Sequence, residues 1–209
     1  MTTPIRLTWV NEDSLQIHLC EPQDCGRLSA GIARLRVLYG DNIRDLSAGF
    51  GQILVVLNHP ICTDKLLGQL EGLSCTEVQS RTIEIPVCYD PEVALDLPEI
   101  ADTLDMSMSE VIQRHCAQTL EVIAMGFAPG FGYLSGLDPL LHLPRKATPR
   151  TEIPPGSVAI AHHQSVIYPT ATPGGWNIIG RTHASLIRYQ PEPTPLFEIG
   201  DRVRFLACE

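Results

Sequence analysis

The chain has 209 residues, of which 44% are hydrophobic and 19% charged, and this composition indicates a folded protein rather than a disordered one. Its formal net charge of -9 argues against nucleic-acid and anionic-membrane partners, because both require a basic face on the protein. The seven cysteines are odd in number and scattered, without a C-x-x-C pair, which favours reduced thiols over a disulfide framework or a zinc site.

Localisation is indicated by two features of the sequence. The first ten residues carry only scattered apolar side chains, so they lack the apolar stretch of a secretory signal. The longest dense apolar run, 53–57, is far too short to span a bilayer. We therefore expect a cytoplasmic protein.

The N-terminal part of the chain alternates helical and strand patterns. Apolar residues recur at four and three positions over 28–38, which predicts an amphipathic helix that ends at Gly40. The apolar run 53–57 predicts a strand, and Thr63 or Asp64 can cap a second short helix with leucines on its buried face. A strand follows at 83–87, where apolar and polar residues alternate. We expect an α+β domain over residues 1–86.

The remainder, 87–209, has a different pattern. Ser107 and Glu110 form a capping box that introduces a helix carrying His115. After it come short apolar segments separated by Pro- and Gly-rich turns, a spacing that favours a small β-barrel or sandwich. These segments are 120–125, 157–161, 176–180, 184–189 and 202–206.

A glycine-rich loop at 126–133 packs three glycines, a proline and three aromatic residues into eight positions. Such a loop can hold a flat ligand against exposed backbone amides, and it is equally typical of a tight barrel corner with aromatic packing. The loop is neither a G-x-G-x-x-G motif nor a Walker loop, so its sequence does not predict nucleotide binding.

A cationic loop at 144–150 contains Arg145, Lys146 and Arg150 and is stiffened by two prolines, although the whole chain is acidic. A stiff cationic loop suits a carboxylate or phosphate ligand. The alternative is a solvated surface turn.

The histidine, cysteine and serine residues indicate few further metal or catalytic sites. We expect no metal site, because the adjacent His162 and His163 would face opposite sides of a strand. His115 lies at the end of its helix, where it can be a general acid or base or only a hydrogen-bonded cap. Cys116 diverges from His115 by about 100° around the helix, so the two do not form a catalytic pair. The chain has no G-x-S-x-G motif for a serine nucleophile.

Four segments together resemble the family of the 5-oxoprolinase B subunit, also called allophanate hydrolase subunit 1, which includes the KipI-type sporulation kinase inhibitors. Their order and spacing carry the resemblance more than any one motif does. It extends to 83–89, to the helix with His115 and to 200–205, and it is loose over the first 80 residues. The segments are GFAPGFGYL at 126–134, PRKATPR at 144–150, PPGSVAI at 154–160, and the polar and glycine-rich stretch 167–182.

The sequence departs from the family pattern at two places. Relatives usually show Gly-Gly-Gln-Thr-Gly where this chain has residues 162–166, and often Phe-Pro-Tyr where it has 131–133. Histidines in place of glycines narrow any nearby pocket, so a changed substrate or partner is one interpretation of this departure.

The resemblance implies an α+β N-terminal domain followed by a mainly-β cyclophilin-like barrel domain. It implies that the protein is the B subunit of an ATP-dependent 5-oxoprolinase and is inactive alone. With the A and C subunits it would hydrolyse 5-oxoproline to glutamate. ATP, bound with Mg, would be the co-substrate of the complex. Two alternatives remain: a carboxyltransferase subunit of the allophanate hydrolase or urea carboxylase type, and a KipI-like inhibitor of a sensor histidine kinase.

Opening a lactam with ATP requires cations for phosphoryl charge, a face for the ring and a proton donor for nitrogen. On this basis we assign hypothetical roles to eight residues. The predicted catalytic residues are His115, Gln164 and Arg150, and the predicted substrate-binding residues are Arg145, Tyr168, Trp176, Arg181 and Phe131.

Overall fold

A computed structural model describes residues 4–22, 24–73, 81–189 and 191–208. Contacts between Cα atoms divide the chain into two compact units, 1–80 and 81–209. The predicted strand at 83–87 belongs to the second unit, and the predicted domain boundary at residue 86 stays a prediction. Cys75 lies outside the described residues, and Cys62, Cys88, Cys116 and Cys208 are free thiols.

The first unit combines an antiparallel sheet with two helices. The sheet has the order β1-β2-β4-β3, in which β2 pairs with β4 through Leu15↔Val55 and Ile17↔Ile53. These four side chains are almost completely buried. The elements are β1 (Arg6–Trp9), β2 (Ser14–His18), α1 (Cys25–Tyr39), β3 (Ile43–Gly49), β4 (Gln52–Leu57) and α2 (Thr63–Glu71).

The sequence patterns of this unit predict its helices well and one helix cap poorly. Helix α1 buries Leu28 and Leu35, and Gly40 is its C-cap, as expected. Helix α2 was expected to be capped by Thr63 or Asp64, which is wrong. Cys62, with an extended backbone, is the N-cap and makes no side-chain cap hydrogen bond, while Asp64 lies within the first turn.

The second unit is mainly β. Its helices are α3 (Leu97–Leu104) and α4 (Met108–Ala117), and a short 3₁₀ turn covers Pro139–Leu141. The strands are β5 (Thr82–Cys88), β6 (Thr119–Met125), β7 (Gly132–Ser135), β8 (Arg150–Ile153), β9 (Ser157–Ala161), β10 (Gln164–Ile167), β11 (Thr172–Gly174), β12 (Asn177–Arg181), β13 (Ile187–Arg188), β14 (Thr194–Pro195) and β15 (Arg202–Cys208).

Seven of these strands close into a barrel of order β6-β15-β5-β12-β9-β10-β7, because β7 also pairs with β6. Strands β15 and β5 are parallel, and the other neighbours are antiparallel. Two short ribbons, β8–β11 and β13–β14, accompany it. This barrel fits the cyclophilin-like fold that the resemblance implies, whereas the separate α+β domain over 1–86 stays a prediction.

Strands β9, β10 and β12 bury side chains on both faces, which explains their almost continuous apolar sequence. Residues that point into the barrel, such as Val158, Ile160 and Ile179, form an inner cluster with the apolar faces of α3 and α4. Alternate residues point outward and form a second group, which we call the outer cluster. Its buried members are Phe131, Ile153, Ala159, Ala161, Val166, Tyr168, Trp176 and Ile178.

Helix α4 begins at the predicted capping box. The Ser107 hydroxyl oxygen accepts a hydrogen bond from the backbone N–H of Glu110 at 3.1 Å, which confirms the serine half of the motif. The Glu110 carboxylate instead accepts from Arg114 at 2.9 Å. None of the helices in the described part of the chain has both the length and the apolar composition of a membrane-spanning segment.

Candidate functional site

The outer cluster is built around a chain of aromatic rings. Phe131 lies edge-on to Tyr133 at 5.0 Å and to Tyr168 at 5.4 Å between ring centroids, and Tyr133 lies 6.3 Å from Trp176. Phe131, Tyr168 and Trp176 are each at most 5% exposed. These three predicted binding residues therefore come together, and they form a wall rather than an open platform.

The glycine-rich loop is the tight corner between β6 and β7. The backbone N–H of Gly126 donates to the carbonyl of Phe131 at 3.1 Å, and the backbone N–H of Phe131 donates to the carbonyl of Ala128 at 3.0 Å. Gly130 has a φ of 82°, and a Cβ there would lie only 2.9 Å from the carbonyl oxygen of Leu186. The barrel-corner interpretation is thus confirmed, and ligand binding by this loop stays a prediction.

Tyr168 is held by close packing. A Cβ on Gly174 would lie 2.5 Å from the Tyr168 hydroxyl, so glycine at this position allows the ring to fit. Burial raises the pKa of Tyr168 to about 12, although the charge of Arg145 and the backbone N–H of Trp176 act in the opposite direction. The hydroxyl is therefore protonated at neutral pH and can donate a hydrogen bond.

Arg145 covers the outer cluster. Its guanidinium carbon lies 5.4 Å from the centre of the Trp176 ring, within the range of a cation–π interaction. The cationic loop is fixed to the start of β12 by the Lys146 N–H, which donates to Gly175 at 2.7 Å, and by the Asn177 side chain, which donates to Pro144 at 2.9 Å. The loop thus has a defined position and is not a free surface turn.

An acidic residue that the sequence patterns did not single out anchors this loop. Asp96, only 1% exposed, accepts from Lys146 Nζ at 2.8 Å and from Arg150 Nη1 and Nη2 at 2.8 and 2.7 Å. The backbone N–H of Ile178 donates to the same carboxylate at 2.7 Å. Burial alone would raise the pKa of Asp96, but these hydrogen bonds outweigh it and hold the pKa below its ordinary value.

The three cations of the loop consequently differ. Lys146 pairs with Asp96 and Glu99, and Arg150 pairs with Asp96. Within the described residues Arg145 has no ion pair, so it is the loop cation with charge to offer a ligand. The catalytic role assigned to Arg150 stays a prediction, but its guanidinium is already bound to a carboxylate.

Arg145 also borders a cleft of about 510 Å³ between α3 and the cationic loop, which we call the Arg145 cleft. The volume falls in the range of small-molecule pockets. The residues that line the cleft come mainly from α3 and the cationic loop, and they include both polar and apolar side chains. They are Glu99, Ile100, Thr103, Leu143, Pro144, Arg145, Lys146, Ala147, Thr148 and Asn177.

His115 lies inside the barrel, fully buried and stacked on Phe205 at 4.5 Å between ring centroids. Its Nδ1 lies 2.8 Å from the Tyr89 hydroxyl, and its Nε2 lies 3.1 Å from Ser165 Oγ. Since the Ser165 hydroxyl donates to the carbonyl of Ala159, we assign the proton of the ring to Nε2. Burial lowers the pKa of His115 to about 3.

Gln164 and His115 lie on opposite sides of β10. Ser165 faces His115, so the neighbouring Gln164 points outward with Val166 and Tyr168. Gln164 is half-buried and pairs with Ser135 and Ala161. The strand therefore separates His115 from the outer cluster. The catalytic role predicted for His115 stays a prediction without support from this geometry.

The adjacent histidines were expected to lie in a strand, and this expectation is wrong. His162 and His163 form the turn between β9 and β10, and His162 has a φ of 53°, a conformation that a glycine adopts without strain. No group of three His, Cys, Asp or Glu side chains in the described ranges is arranged to hold a metal ion.

Arg181 lies at the far end of β12. Its Nε donates to the carbonyl of Pro155 at 3.0 Å, and it borders a separate cleft of about 280 Å³ together with Tyr168. The structure therefore groups Phe131, Tyr168 and Trp176 as a shared wall, with Arg145 on one side of it and Arg181 on another.

A closed seven-stranded barrel with a buried aromatic wall and a carboxylate-anchored cationic loop places the second unit among mainly-β barrel proteins. The chain belongs to the family described as carboxyltransferase domain, subdomain C and D, whose model matches residues 5–197. The family resemblance inferred from the motifs is thereby confirmed.

Three relatives are named as the B subunit of 5-oxoprolinase. The protein from Bacillus subtilis is 46% identical over 130 residues, which cover 62% of this chain and 54% of the relative. The proteins from Haemophilus influenzae and Escherichia coli O157:H7 are 44% and 38% identical over 170 residues, covering 79% of this chain and 79% and 78% of those relatives. The chain thus spans about half the length of the Bacillus relative.

Solved structures support the fold. The structure of TTHA0988 has a TM-score of 0.82 at 33% identity and covers 94% of this chain, which spans only 40% of that longer chain. The Kluyveromyces lactis urea carboxylase has a TM-score of 0.73 at 18% identity, with 98% of this chain and 22% of that chain covered. At that identity the second likeness shows the fold alone.

Proposed function

We propose that this chain is the B subunit of an ATP-dependent 5-oxoprolinase that hydrolyses 5-oxoproline to glutamate. The observation that carries the proposal is the similarity to three relatives that carry this name, two of them over 79% of this chain. The proposed assembly contains the A and C subunits, uses ATP with Mg as co-substrate, and is inactive without its partners.

The chemistry of 5-oxoproline fits the Arg145 cleft. The substrate carries a carboxylate and a small lactam ring, and Arg145 is the loop cation with no ion pair among the described residues. In this proposal the Arg145 guanidinium binds the carboxylate in the fork geometry that arginine favours. Leu143 and Ile100 then give the ring an apolar edge of the same cleft.

The ATP requirement follows from the stability of the lactam. Its amide is resonance-stabilised and has a poor amine leaving group, whereas phosphorylation of the amide oxygen makes the carbon electrophilic toward water. Gln164 and Tyr168 are not among the residues that line the Arg145 cleft, so the hydrogen bonds to the substrate expected of them stay predictions. Arg150 and His115 would act indirectly, Arg150 by fixing the loop through Asp96 and His115 by fixing β10 through Ser165.

Partner proteins are proposed on two grounds. The relatives are named as one subunit of an enzyme, and TTHA0988 is a longer chain of which this chain spans 40%. In this proposal, the C subunit supplies a region that in TTHA0988 belongs to the same chain. Co-purification of this chain with the A and C subunits tests this part directly.

The test of the function is reconstitution. The A and C subunits are mixed with and without this chain, and glutamate release from 5-oxoproline is measured with and without ATP. The proposal expects release only from the three-subunit mixture with ATP. Glutamate release that does not depend on this chain contradicts it.

A carboxyltransferase subunit is the second candidate, favoured by the family description and by the fold of the urea carboxylase. It predicts a requirement for a biotin carrier and activity on urea-derived amides, so a substrate panel with and without that carrier separates the two functions. The KipI-like alternative stays a prediction, and it requires binding to a sensor histidine kinase instead of to the C subunit.

A further inference from the structure

A second cleft opens at the other end of β12, and we call it the Arg181 cleft. Its volume is about 280 Å³, and it lies between the turn after β8, the end of β10 and the segment after β12. It contains one arginine, one histidine and several hydroxyl groups. The polar members are Tyr168, Thr170, Arg181, Thr182, His183, Ser185 and Tyr189.

The charge of this cleft is opposite to that of the whole chain. The chain carries a net charge of -9, yet no Asp or Glu is among the described residues that line the cleft. Arg181 uses Nε for the carbonyl of Pro155, and within the described ranges it has no ion pair. Its two terminal nitrogens make no hydrogen bond among the described residues, so they are the donors left for a ligand.

The floor of the cleft is fixed by the backbone. Gly156 has a φ of 79°. Its N–H donates to the backbone carbonyl of Tyr168 at 2.7 Å, and its carbonyl accepts from the backbone N–H of Thr182 at 2.8 Å. A Cβ at Gly156 would collide with the carbonyl oxygen of Thr182, so these two segments approach as closely as glycine allows. Rigid backbone on both sides presents Arg181 and the hydroxyl groups at defined positions.

The Arg181 cleft is separate from the Arg145 cleft. Arg181 lies five positions after Trp176, which lies under Arg145, along extended chain. At about 3.3 Å per residue their Cα atoms lie about 16 Å apart. The Tyr168 ring connects the two places, because it lines the Arg181 cleft while its hydroxyl lies against Gly174.

We propose that the Arg181 cleft binds a phosphate group. A phosphate has more acceptor oxygens than a carboxylate, and it is matched by the arginine fork together with the hydroxyl of Thr170 and the imidazole of His183 around one small cavity. The inference does not depend on the 5-oxoprolinase function, because phosphate binding is a property of this chain alone.

The experiment titrates the purified chain with inorganic phosphate and, separately, with acetate at matched ionic strength, followed by amide chemical shifts in NMR. Arg181→Ala and Thr170→Val remove donors of the cleft. Arg188→Ala is the matched control, since Arg188 is an exposed arginine of the same unit that does not line the cleft.

The expected result is saturable phosphate binding at millimolar concentrations, with shift changes at residues of the cleft. Arg181→Ala should weaken the Kd about tenfold or more, as expected when a charge-assisted hydrogen bond is lost, and Arg188→Ala should leave it unchanged. Thr170→Val, an exposed position, should weaken phosphate binding without disturbing the fold. The proposal is overturned by no saturable phosphate binding, by binding of acetate alone, or by equal affinity in the wild type and both cleft variants.

Discussion

Asp96 and Arg150 form a bidentate ion pair across 54 residues of sequence, with Nη1–Oδ2 and Nη2–Oδ1 distances of 2.8 and 2.7 Å. Lys146 and the N–H of Ile178 complete the environment of the same carboxylate. One buried acidic side chain therefore connects the start of α3, both ends of the cationic loop and β12. Through that connection it fixes the position of Arg145 over Trp176.

Replacing Asp96 should destabilise the second unit. Asp96→Asn keeps the shape of the side chain but leaves Arg150 without a counter-charge and Lys146 with the exposed Glu99 alone, so the free energy of unfolding should fall by about 3 kcal/mol. Denaturant unfolding measures the change. Glu99→Gln is the control, because the Glu99 side chain is 72% exposed and its loss should cost less than about 1 kcal/mol. Equal losses for the two variants would show that Asp96 is not the anchor.

His115 should remain neutral in acid. Its folded-state pKa is lowered to about 3, below the ordinary 6.5, so the unfolded chain takes up the proton first as the pH falls. The stability that this group contributes is complete above about pH 6.5 and declines by up to about 1.4 kcal/mol per pH unit down to about pH 3.

The tautomer of His115 makes the same hypothesis testable at one atom. ¹⁵N-detected NMR of the folded chain at about pH 5 should show a neutral ring with its proton on Nε2, hydrogen-bonded to Ser165. An imidazolium signal for His115 at that pH would contradict both the burial and the direction of the hydrogen bonds.

Two adjacent glycines should respond differently to alanine. At Gly174 a Cβ would lie 2.5 Å from the Tyr168 hydroxyl and 2.6 Å from Ile153 Cδ1, so Gly174→Ala should cost about 1–3 kcal/mol of unfolding free energy. At Gly175 the nearest atom is Pro149 Cγ at 3.5 Å, so Gly175→Ala should be tolerated. Thermal unfolding of both variants gives the comparison, and similar values for the pair would argue against close packing of Tyr168.

The sequence predicts the elements of this fold better than their partnerships. Helix α1, strand β4 and the strands of the barrel follow from apolar periodicity, because each element reports its own buried face. The barrel corner at 126–133 was one of two interpretations, and the glycine content of the loop is explained by its close approach to Leu186.

Asp96 could not be identified in this way, because its partners lie 50 and 54 residues away in the chain. The available signal was indirect: three cations in one loop of an acidic chain are consistent with a counter-charge or a ligand nearby, as well as with a solvated turn. For His115 the signal was local. Val111 precedes it by four residues on the same helical face, and that face is buried, so proximity to the helix end did not mean exposure.

The most direct test of the proposed function is the KM of the reconstituted three-subunit assembly for 5-oxoproline, measured with ATP as glutamate release. Arg145→Ala should raise this KM about tenfold or more, because the carboxylate loses a charge-assisted hydrogen bond. Arg34→Ala, which changes an exposed arginine of α1 in the other unit, should leave the KM unchanged. An Arg145→Ala assembly with the wild-type KM would contradict substrate binding at the Arg145 cleft.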